Sequence, residues 1–218
     1  MTNSKGRYPG LFFPLMLLIM VACCCSVLFF ETDVKAENAQ DPSATLSEGG
    51  KNPIDPETEL KRLDKLIETG KKSADVFYNR GWIYEYEGDT ERAEEEYSMA
   101  IELDKKHIDA YYNRGLIYMS QKKYELAISD FSEAITLKSD LVDAYCNRGN
   151  AYLYLGKTDE AIEDYGLALK IDPEDPDLYY NRAIIHLTRS EKGMAEEDFT
   201  KATELGHEPA LEYLEQRR

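Results

Sequence analysis

Residues 74–107 and residues 108–141 are two copies of one 34-residue sequence, ADVFYNRGWIYEYEGDTERAEEEYSMAIELDKKH and IDAYYNRGLIYMSQKKYELAISDFSEAITLKSDL. Each copy contains Asn-Arg-Gly. The tripeptide returns at residues 147–149 and is followed by Asn-Arg-Ala at 181–183, always at intervals of 34 residues. Other columns keep the same phase, among them an aromatic residue two positions before each Asn and an Ala-aromatic-Ala pattern in the second half of each copy. Several columns in phase predict a repeat architecture.

Each copy divides into two blocks in which apolar residues recur at helical spacing. The residues between the blocks are Gly88, Lys122, Gly156 and Ser190. Each copy is therefore predicted to be a helix, a short turn and a second helix, and we expect Gly81 and its equivalents to face Ala residues of the second helix. Because one such pair cannot cover its own apolar face, the copies must stack. The predicted fold is an all-α, right-handed α-solenoid.

This pattern resembles the tetratricopeptide repeat (TPR) family, whose 34-residue signature of aromatic, Gly, Tyr, Ala, aromatic, Ala and Pro residues is matched in nearly every column. The resemblance covers residues 74–209. It divides them into four copies, at 74–107, 108–141, 142–175 and 176–209. The main departure is the Pro that ends the second helix, since only Pro173 is present. The other copies have Lys105, Ser139 and His207 there.

Capping helices are predicted on both sides of the repeats. Within residues 56–73, four apolar residues share one helical face before Gly70, namely Leu60, Leu63, Leu66 and Ile67. This pattern indicates a lone second helix that covers the first full copy. Residues 210–218 resemble the start of a fifth copy, with the polar face that terminal repeats need.

The N-terminal 30 residues are predicted to be a membrane or export segment. Residues 11–30 contain no charged residue, and as a helix they span about 30 Å, the thickness of a bilayer core. Lys5 and Arg7 precede this span and acidic residues follow it, so the N-terminus is predicted to be cytoplasmic and the rest of the chain to lie outside. Residues 31–55 are polar, contain Pro and Gly, and are predicted to be a flexible linker.

Three interpretations of this segment stay open. An uncleaved signal anchor accounts for the length of the apolar run. A cleavable signal peptide is indicated by Val-Lys-Ala at residues 34–36, with cleavage after Ala36. A lipoprotein signal is indicated by Met-Val-Ala-Cys at residues 20–23, with acylation at Cys23. All three export the repeats, and the leading interpretation anchors them in a bacterial inner membrane, facing the periplasm.

The TPR resemblance implies a binding surface, because the first helices of successive TPR copies line a concave groove that holds extended peptides or partner helices. Asn amides can both donate to and accept from a peptide backbone. The Asn column is Asn79, Asn113, Asn147 and Asn181. A turn earlier on the same helical face lie Asp75, Asp109, Asp143 and Asp177. The aromatic anchors implied for the groove are Tyr78, Trp82, Tyr86, Tyr112, Tyr154 and Tyr180.

Each of these sets also has a purely structural interpretation. The amides can bond locally, the carboxylates can serve as N-caps or first-turn acids, and the aromatic rings can pack between adjacent first helices. The Arg after each Asn is interpreted as a structural ion-pair partner of a nearby acid. These residues are Arg80, Arg114, Arg148 and Arg182.

Charge restricts the partners of the chain. Its 218 residues include 26 Lys and Arg against 42 Asp and Glu, a net charge of −16, which opposes binding to nucleic-acid phosphates or anionic lipids. Residues 56–218 hold 36 acids and 22 bases, a net of −14, so a neutral or basic protein segment is the expected partner. TPR domains that clamp a C-terminal carboxylate use Lys and Arg in columns that hold Asp and Asn here, so an acidic tail is not expected.

No phosphate-binding loop, nucleophile motif or metal-ligand spacing is found, so neither an enzyme nor a cofactor is predicted. His186 occupies a Tyr column and Cys146 an aromatic column, and both are interpreted as core residues. The predicted function is an adaptor that binds a protein segment in its groove. The alternative is a structural or self-associating module without a peptide ligand.

Overall fold

The computed structural model describes residues 55–217, and that part of the chain forms ten α-helices and no strand. In chain order they are α1 Pro56–Glu68, α2 Ala74–Tyr86, α3 Thr90–Leu103, α4 Ile108–Ser120, α5 Tyr124–Leu137, α6 Val142–Tyr154, α7 Thr158–Ile171, α8 Pro176–Thr188, α9 Lys192–Glu204 and α10 Glu208–Glu215. The predicted membrane segment at 11–30 and nearly all of the predicted linker lie outside the described residues. Between residues 55 and 217, no helix is both long and apolar enough to cross a bilayer.

The helix-turn-helix prediction is confirmed in all four copies. The pairs are α2–α3, α4–α5, α6–α7 and α8–α9, and we call α2, α4, α6 and α8 the first helices and their partners the second helices. Each helix packs mainly against its neighbours along the chain, so the pairs stack into a solenoid. Helix α1 covers the first pair as a lone second helix, and α10 packs on the last pair.

The four predicted turn positions end the first helices in the same way. Gly88 and Gly156 have φ values of 81° and 73°, and Lys122 and Ser190 have 61° and 63°. This left-handed residue lets the next N–H reach back to the helix, as Asp89 N does to the Tyr84 carbonyl oxygen at 2.8 Å. Such a turn reverses the chain within a few residues, which brings each second helix against its first.

The core of each pair is an aromatic side chain from the second helix, flanked by small residues. Tyr97, Phe131, Tyr165 and Phe199 are at most 1% exposed, and the neighbouring Ala columns are fully buried. The side chain nearest to each of the repeat glycines Gly81, Gly115 and Gly149 is the aromatic residue of the second helix rather than the expected Ala, although Gly149 also lies near the Ala161 carbonyl oxygen. A Cβ on Gly115 would lie 2.8 Å from Phe131 Cε1, and one on Gly81 would lie 3.0 Å from the Tyr97 ring. These glycines admit the aromatic ring against the backbone of the first helix.

The Arg column, which is Arg80, Arg114, Arg148 and Arg182, links each first helix to its second helix, and in α2, α4 and α6 also to the helix that precedes it. Arg114 donates from Nε and Nη2 to the two carboxylate oxygens of Asp130 at 2.7 and 2.8 Å, and from Nη1 to Ser98 Oγ of the preceding pair at 3.0 Å. The same bidentate contact to an acid of the second helix recurs in the other pairs, as Arg80–Glu96, Arg148–Asp164 and Arg182–Asp198. The predicted structural role of these arginines is confirmed.

The last described helix begins earlier than the sequence predicts. It starts at Glu208 with His207 as N-cap, whereas the expected boundary was residue 210. The cause is Gly206, whose φ of 94° ends α9 at Glu204 and lets the chain turn sooner than after the other second helices, whose C-cap residues are extended.

Candidate functional site

The first helices carry the residues that the TPR resemblance assigns to the concave groove. We define the first-helix face by four positions in each helix, spaced by three, four and four residues so that they share one side. Their occupants, position by position, are Asp75, Asp109, Asp143 and Asp177; Tyr78, Tyr112, Cys146 and Tyr180; Trp82, Leu116, Asn150 and Ile184; and Tyr86, Ser120, Tyr154 and Thr188.

The Asp column forms one edge of this face, at the N-terminal ends of the first helices. All four residues lie in first turns, where a carboxylate interacts favourably with the helix dipole. None of them is an N-cap, because the N-caps are Ser73, His107, Leu141 and Asp175. Asp75 and Asp109 are nevertheless exposed to solvent, and the side chain of Asp75 is 85% exposed. A first-turn role therefore leaves these two carboxylates available to a ligand.

Two histidines tie the ends of this edge to the next helix, which the sequence reasoning missed. His107 Nδ1 accepts from the Ala110 N–H at 3.2 Å, and its ring lies 4.8 Å from that of Tyr78. His207 repeats the arrangement with Ala210 at 3.1 Å and Tyr180 at 4.3 Å. Their Nε2 atoms face Asp75 at 3.6 Å and Asp177 at 3.2 Å. The only sequence signal was a His directly before each of two helices.

Two members of the Asn column, Asn113 and Asn147, lie between successive first helices. Asn113 and Asn147 are 4% and 3% exposed. Asn113 Nδ2 donates to the Tyr78 hydroxyl at 3.2 Å, and Asn147 Nδ2 donates to the Tyr112 hydroxyl at 3.0 Å. These amides hold neighbouring repeats together, so the predicted contact with a peptide backbone is not visible at these two positions and stays a prediction.

Asn181 differs from its equivalents because the position that Tyr78 and Tyr112 fill is occupied by Cys146. The Asn181 Nδ2 atom is buried and finds no hydrogen-bond partner among the described residues.

Cys146 itself is 2% exposed, as expected for a core residue. The predicted core role of His186 is also confirmed, since it is 3% exposed and its Nδ1 lies 2.7 Å from Glu191 Oε2.

Aromatic side chains form the opposite edge of the first-helix face, at the C-terminal ends of the first helices. Tyr86 is 69% exposed and stacks on Trp82 with ring centroids 5.7 Å apart. Tyr154 is 47% exposed and stacks on Tyr124 with centroids 4.6 Å apart and planes 3° from parallel. Tyr124 begins a second helix and was missed from the sequence. Stacked and exposed rings of this kind have no core to fill, which makes them candidates for ligand contacts.

The first-helix face carries no uncommitted base. Within α2, α4, α6 and α8 the only Lys or Arg residues are the four of the Arg column, each held by an acid of a second helix. Glu85 adds a carboxyl group that accepts from the Tyr97 hydroxyl at 2.6 Å. Burial raises the pKa of Glu85, because the charged form loses hydration, although the Tyr97 hydrogen bond lowers it.

Between residues 55 and 217, no group of three or more His, Cys, Asp or Glu side chains is placed to hold a metal ion. The first-helix face combines groups of the kinds that recognise protein segments. It has acids on one edge, exposed aromatic rings on the other, and half-buried apolar side chains between them.

A solenoid of stacked helical hairpins with such a face belongs to the class of helical-repeat interaction proteins. The tetratricopeptide repeat model matches residues 142–175, and a second TPR repeat model matches residues 83–122 and 115–156. Residues 83–175 of this chain therefore consist of tetratricopeptide repeats. Its repeats support a protein-interaction or scaffold role, and no curated protein matches the sequence.

Solved structures of MamA have a similar fold. One crystal structure of MamA superimposes with a TM-score of 0.67 at 24% sequence identity, covering 72% of this chain and 91% of that chain. MamA from Desulfovibrio magneticus RS-1, residue 41 to the end, gives a TM-score of 0.64 at 25% identity, covering 69% of this chain and 85% of that one. At these identities the likeness concerns the arrangement of the helices.

Proposed function

We propose that this chain is a protein-interaction scaffold that binds a segment of a partner protein on its first-helix face. The observation that carries the proposal is the pair of exposed aromatic stacks, Trp82–Tyr86 and Tyr124–Tyr154, on the face that also exposes Asp75. Large exposed aromatic side chains are common anchors of protein interfaces. No packing within the described residues requires Tyr86 to be there.

Affinity capture with the full chain tests the proposal. The double variant Tyr86→Ala and Tyr154→Ala removes both exposed rings without touching the buried Asn column, and it is expected to lose at least about tenfold in captured partner. The matched control is Met99→Ala with Leu126→Ala, which removes two side chains that are 39% and 49% exposed on second helices. Circular dichroism must show the same helix content in all proteins. Equal capture by both double variants would contradict the proposal.

Display of the repeats outside the cytoplasm is part of the proposal, and its support is the sequence alone. Lys5 and Arg7 lie before the uncharged residues 11–30, and acids follow. The intact mass of the mature chain separates the three interpretations: a full-length mass for an anchor, loss of residues 1–36 for a signal peptide, and acylated Cys23 for a lipoprotein. Protease treatment of intact spheroplasts is expected to degrade the repeats. Full protection would contradict the outward orientation.

A self-associating module is the second candidate function, and one residue favours it. Leu211 is the fourth residue after the N-cap of α10 and is 42% exposed. The residues at the same distance from the N-caps of α4 and α6, Tyr111 and Tyr145, are only 9% and 8% exposed. A second copy would cover Leu211. This candidate predicts a concentration-dependent dimer in sedimentation experiments that Leu211→Glu dissociates and that the Tyr86→Ala and Tyr154→Ala variant retains.

A further inference from the structure

The two edges of the first-helix face are separated by a distance that fits a helix. Asp75 and Tyr86 are in the first turn and at the end of α2, 11 residues apart, or about 16 Å at a rise of about 1.5 Å per residue. An α-helix with its side chains is about 10–12 Å across. A partner helix can therefore lie across the first helices between the acid edge and the aromatic edge.

The floor between the edges is mainly apolar, although it includes Asn150 and the carboxyl group of Glu85. Trp82, Leu116 and Ile184 are half-buried at one position of the first helices. Met119, Leu153 and Leu187 are half-buried at the position three residues further on. Because these side chains keep part of their surface in water, covering them with an apolar stripe of a ligand is favourable by about 25 cal/mol per Å² of buried apolar area.

The negative charge of the acid edge favours a ligand that carries positive charge on the side facing that edge. The acid edge exposes Asp75 and Asp109, and the bases of the first helices are all paired on the far side with second-helix acids. The connections before α2 and α4 do contain exposed lysines, Lys71, Lys72, Lys105 and Lys106, but none of them forms an ion pair with Asp75 or Asp109. A cationic ligand would be steered to this edge and an acidic one repelled.

We infer that the partner segment is a basic amphipathic helix of another protein. Its apolar stripe would cover the floor around Trp82 and Leu116, its flanking aliphatic groups would meet Tyr86 and Tyr154, and its Lys or Arg residues would face Asp75 and Asp109. This assignment rests on the proposed function, and it adds the chemistry and the secondary structure of the ligand.

A designed peptide tests the inference on the full chain. The probe is about 20 residues long, contains only Leu and Lys, and has its Leu residues on one helical stripe. One control peptide has the same composition in an order without an apolar stripe, and another has Glu in place of Lys. Trp82 is the only Trp of the chain, so its fluorescence reports occupancy of the floor without a label, since the probes have no aromatic residue.

The amphipathic Lys peptide is expected to change Trp82 emission saturably and to bind at least about tenfold more tightly than either control peptide. The double variant Asp75→Asn with Asp109→Asn is expected to weaken its binding by about five- to tenfold and to reduce its salt dependence. Glu95→Gln with Glu102→Gln removes the same charge from exposed positions of a second helix and is expected to change binding by less than about twofold.

Three results would overturn the inference: no saturable change with the amphipathic peptide, equal binding of the peptide without a stripe, or equal effects of the two double variants. If the inference is overturned while capture of the native partner still requires Tyr86 and Tyr154, the proposed function stands and only the ligand class is wrong. If capture is also indifferent to those rings, both fail.

Discussion

Asn147 on α6 donates a 3.0 Å hydrogen bond to the hydroxyl of Tyr112 on α4. This bond joins two successive first helices inside the interface, where Asn147 is 3% exposed. The same relation exists between Asn113 and Tyr78, and it is missing at Asn181 because Cys146 replaces the tyrosine. Asn113 and Asn147 thus join the first three copies, whereas the buried Nδ2 atom of Asn181 in the fourth copy has no hydrogen-bond partner among residues 55–217.

Replacement of Asn147 by Ala is expected to lower the free energy of unfolding by about 1–3 kcal/mol, because it removes a buried hydrogen bond and leaves the tyrosine hydroxyl short of a donor. Asn181→Ala is expected to cost less than about 1 kcal/mol, because its amide N–H already lacks a partner. Urea unfolding followed by circular dichroism measures both. Equal losses would show that the tyrosine bond contributes nothing.

Two glycines of the first and second helices are expected to respond to Ala in opposite directions. Gly115→Ala places a Cβ 2.8 Å from Phe131 and should destabilise by about 1–3 kcal/mol through overpacking. Gly166→Ala meets only Arg182 Nη1, at 3.9 Å, and should stabilise α7 by about 0.5–1 kcal/mol through helix propensity. Thermal unfolding of the two variants checks this. A more stable Gly115→Ala protein would contradict the packing described.

Gly166 also removes one hydrogen bond that the other arginines of the Arg column make to the preceding second helix. Arg114 Nη1 donates to Ser98 and Arg148 Nη1 donates to Ser132, each at 3.0 Å, whereas the equivalent residue before Arg182 is Gly166. Gly166→Ser is therefore expected to be at least as stable as Gly166→Ala, although intrinsic helix propensity favours Ala by about 0.5 kcal/mol. Urea unfolding of the two variants compares their free energies of unfolding. If Gly166→Ser is less stable than Gly166→Ala by the full difference in helix propensity, the new hydroxyl does not accept a hydrogen bond from Arg182 Nη1.

Replacement of Glu85 by Gln is expected to stabilise the protein at neutral pH. Burial raises the pKa of Glu85 in the folded state, so folding disfavours its ionised form once the pH exceeds the unfolded value of about 4.3. Gln keeps an oxygen for the Tyr97 hydroxyl and carries no charge. The gain in unfolding free energy should be near zero at about pH 4 and grow toward pH 7. A gain that is constant over this range would exclude the titration of Glu85 as its cause.

The stacked hairpins could be predicted from the sequence because the 34-residue period places every core residue in a column. The contacts of individual side chains could not be predicted in this way, because they depend on how closely the helices approach one another. Gly115 lies against the Phe131 ring, which occupies the space that a Cβ on residue 115 would need. The Asn–Tyr bonds join residues 35 positions apart in different repeats.

The candidate site was predicted in outline only. The Asp column and the ring of Trp82 lie on the first-helix face as the spacing indicates. Burial of Asn113 and Asn147 was not predictable, because it depends on how closely two first helices approach. Tyr124 reaches the face only through the antiparallel packing of α5 and α6, and so its stack with Tyr154 had no sequence signal.

Site-specific photo-crosslinking shows whether the first-helix face holds a partner protein. A photoreactive phenylalanine analogue is placed in the full chain at position 86, at position 154 or at position 99, the last being an exposed second-helix site. We expect a discrete adduct with the same partner at positions 86 and 154 and none at position 99. An adduct at 99 with none at 86 and 154 would contradict the proposed function.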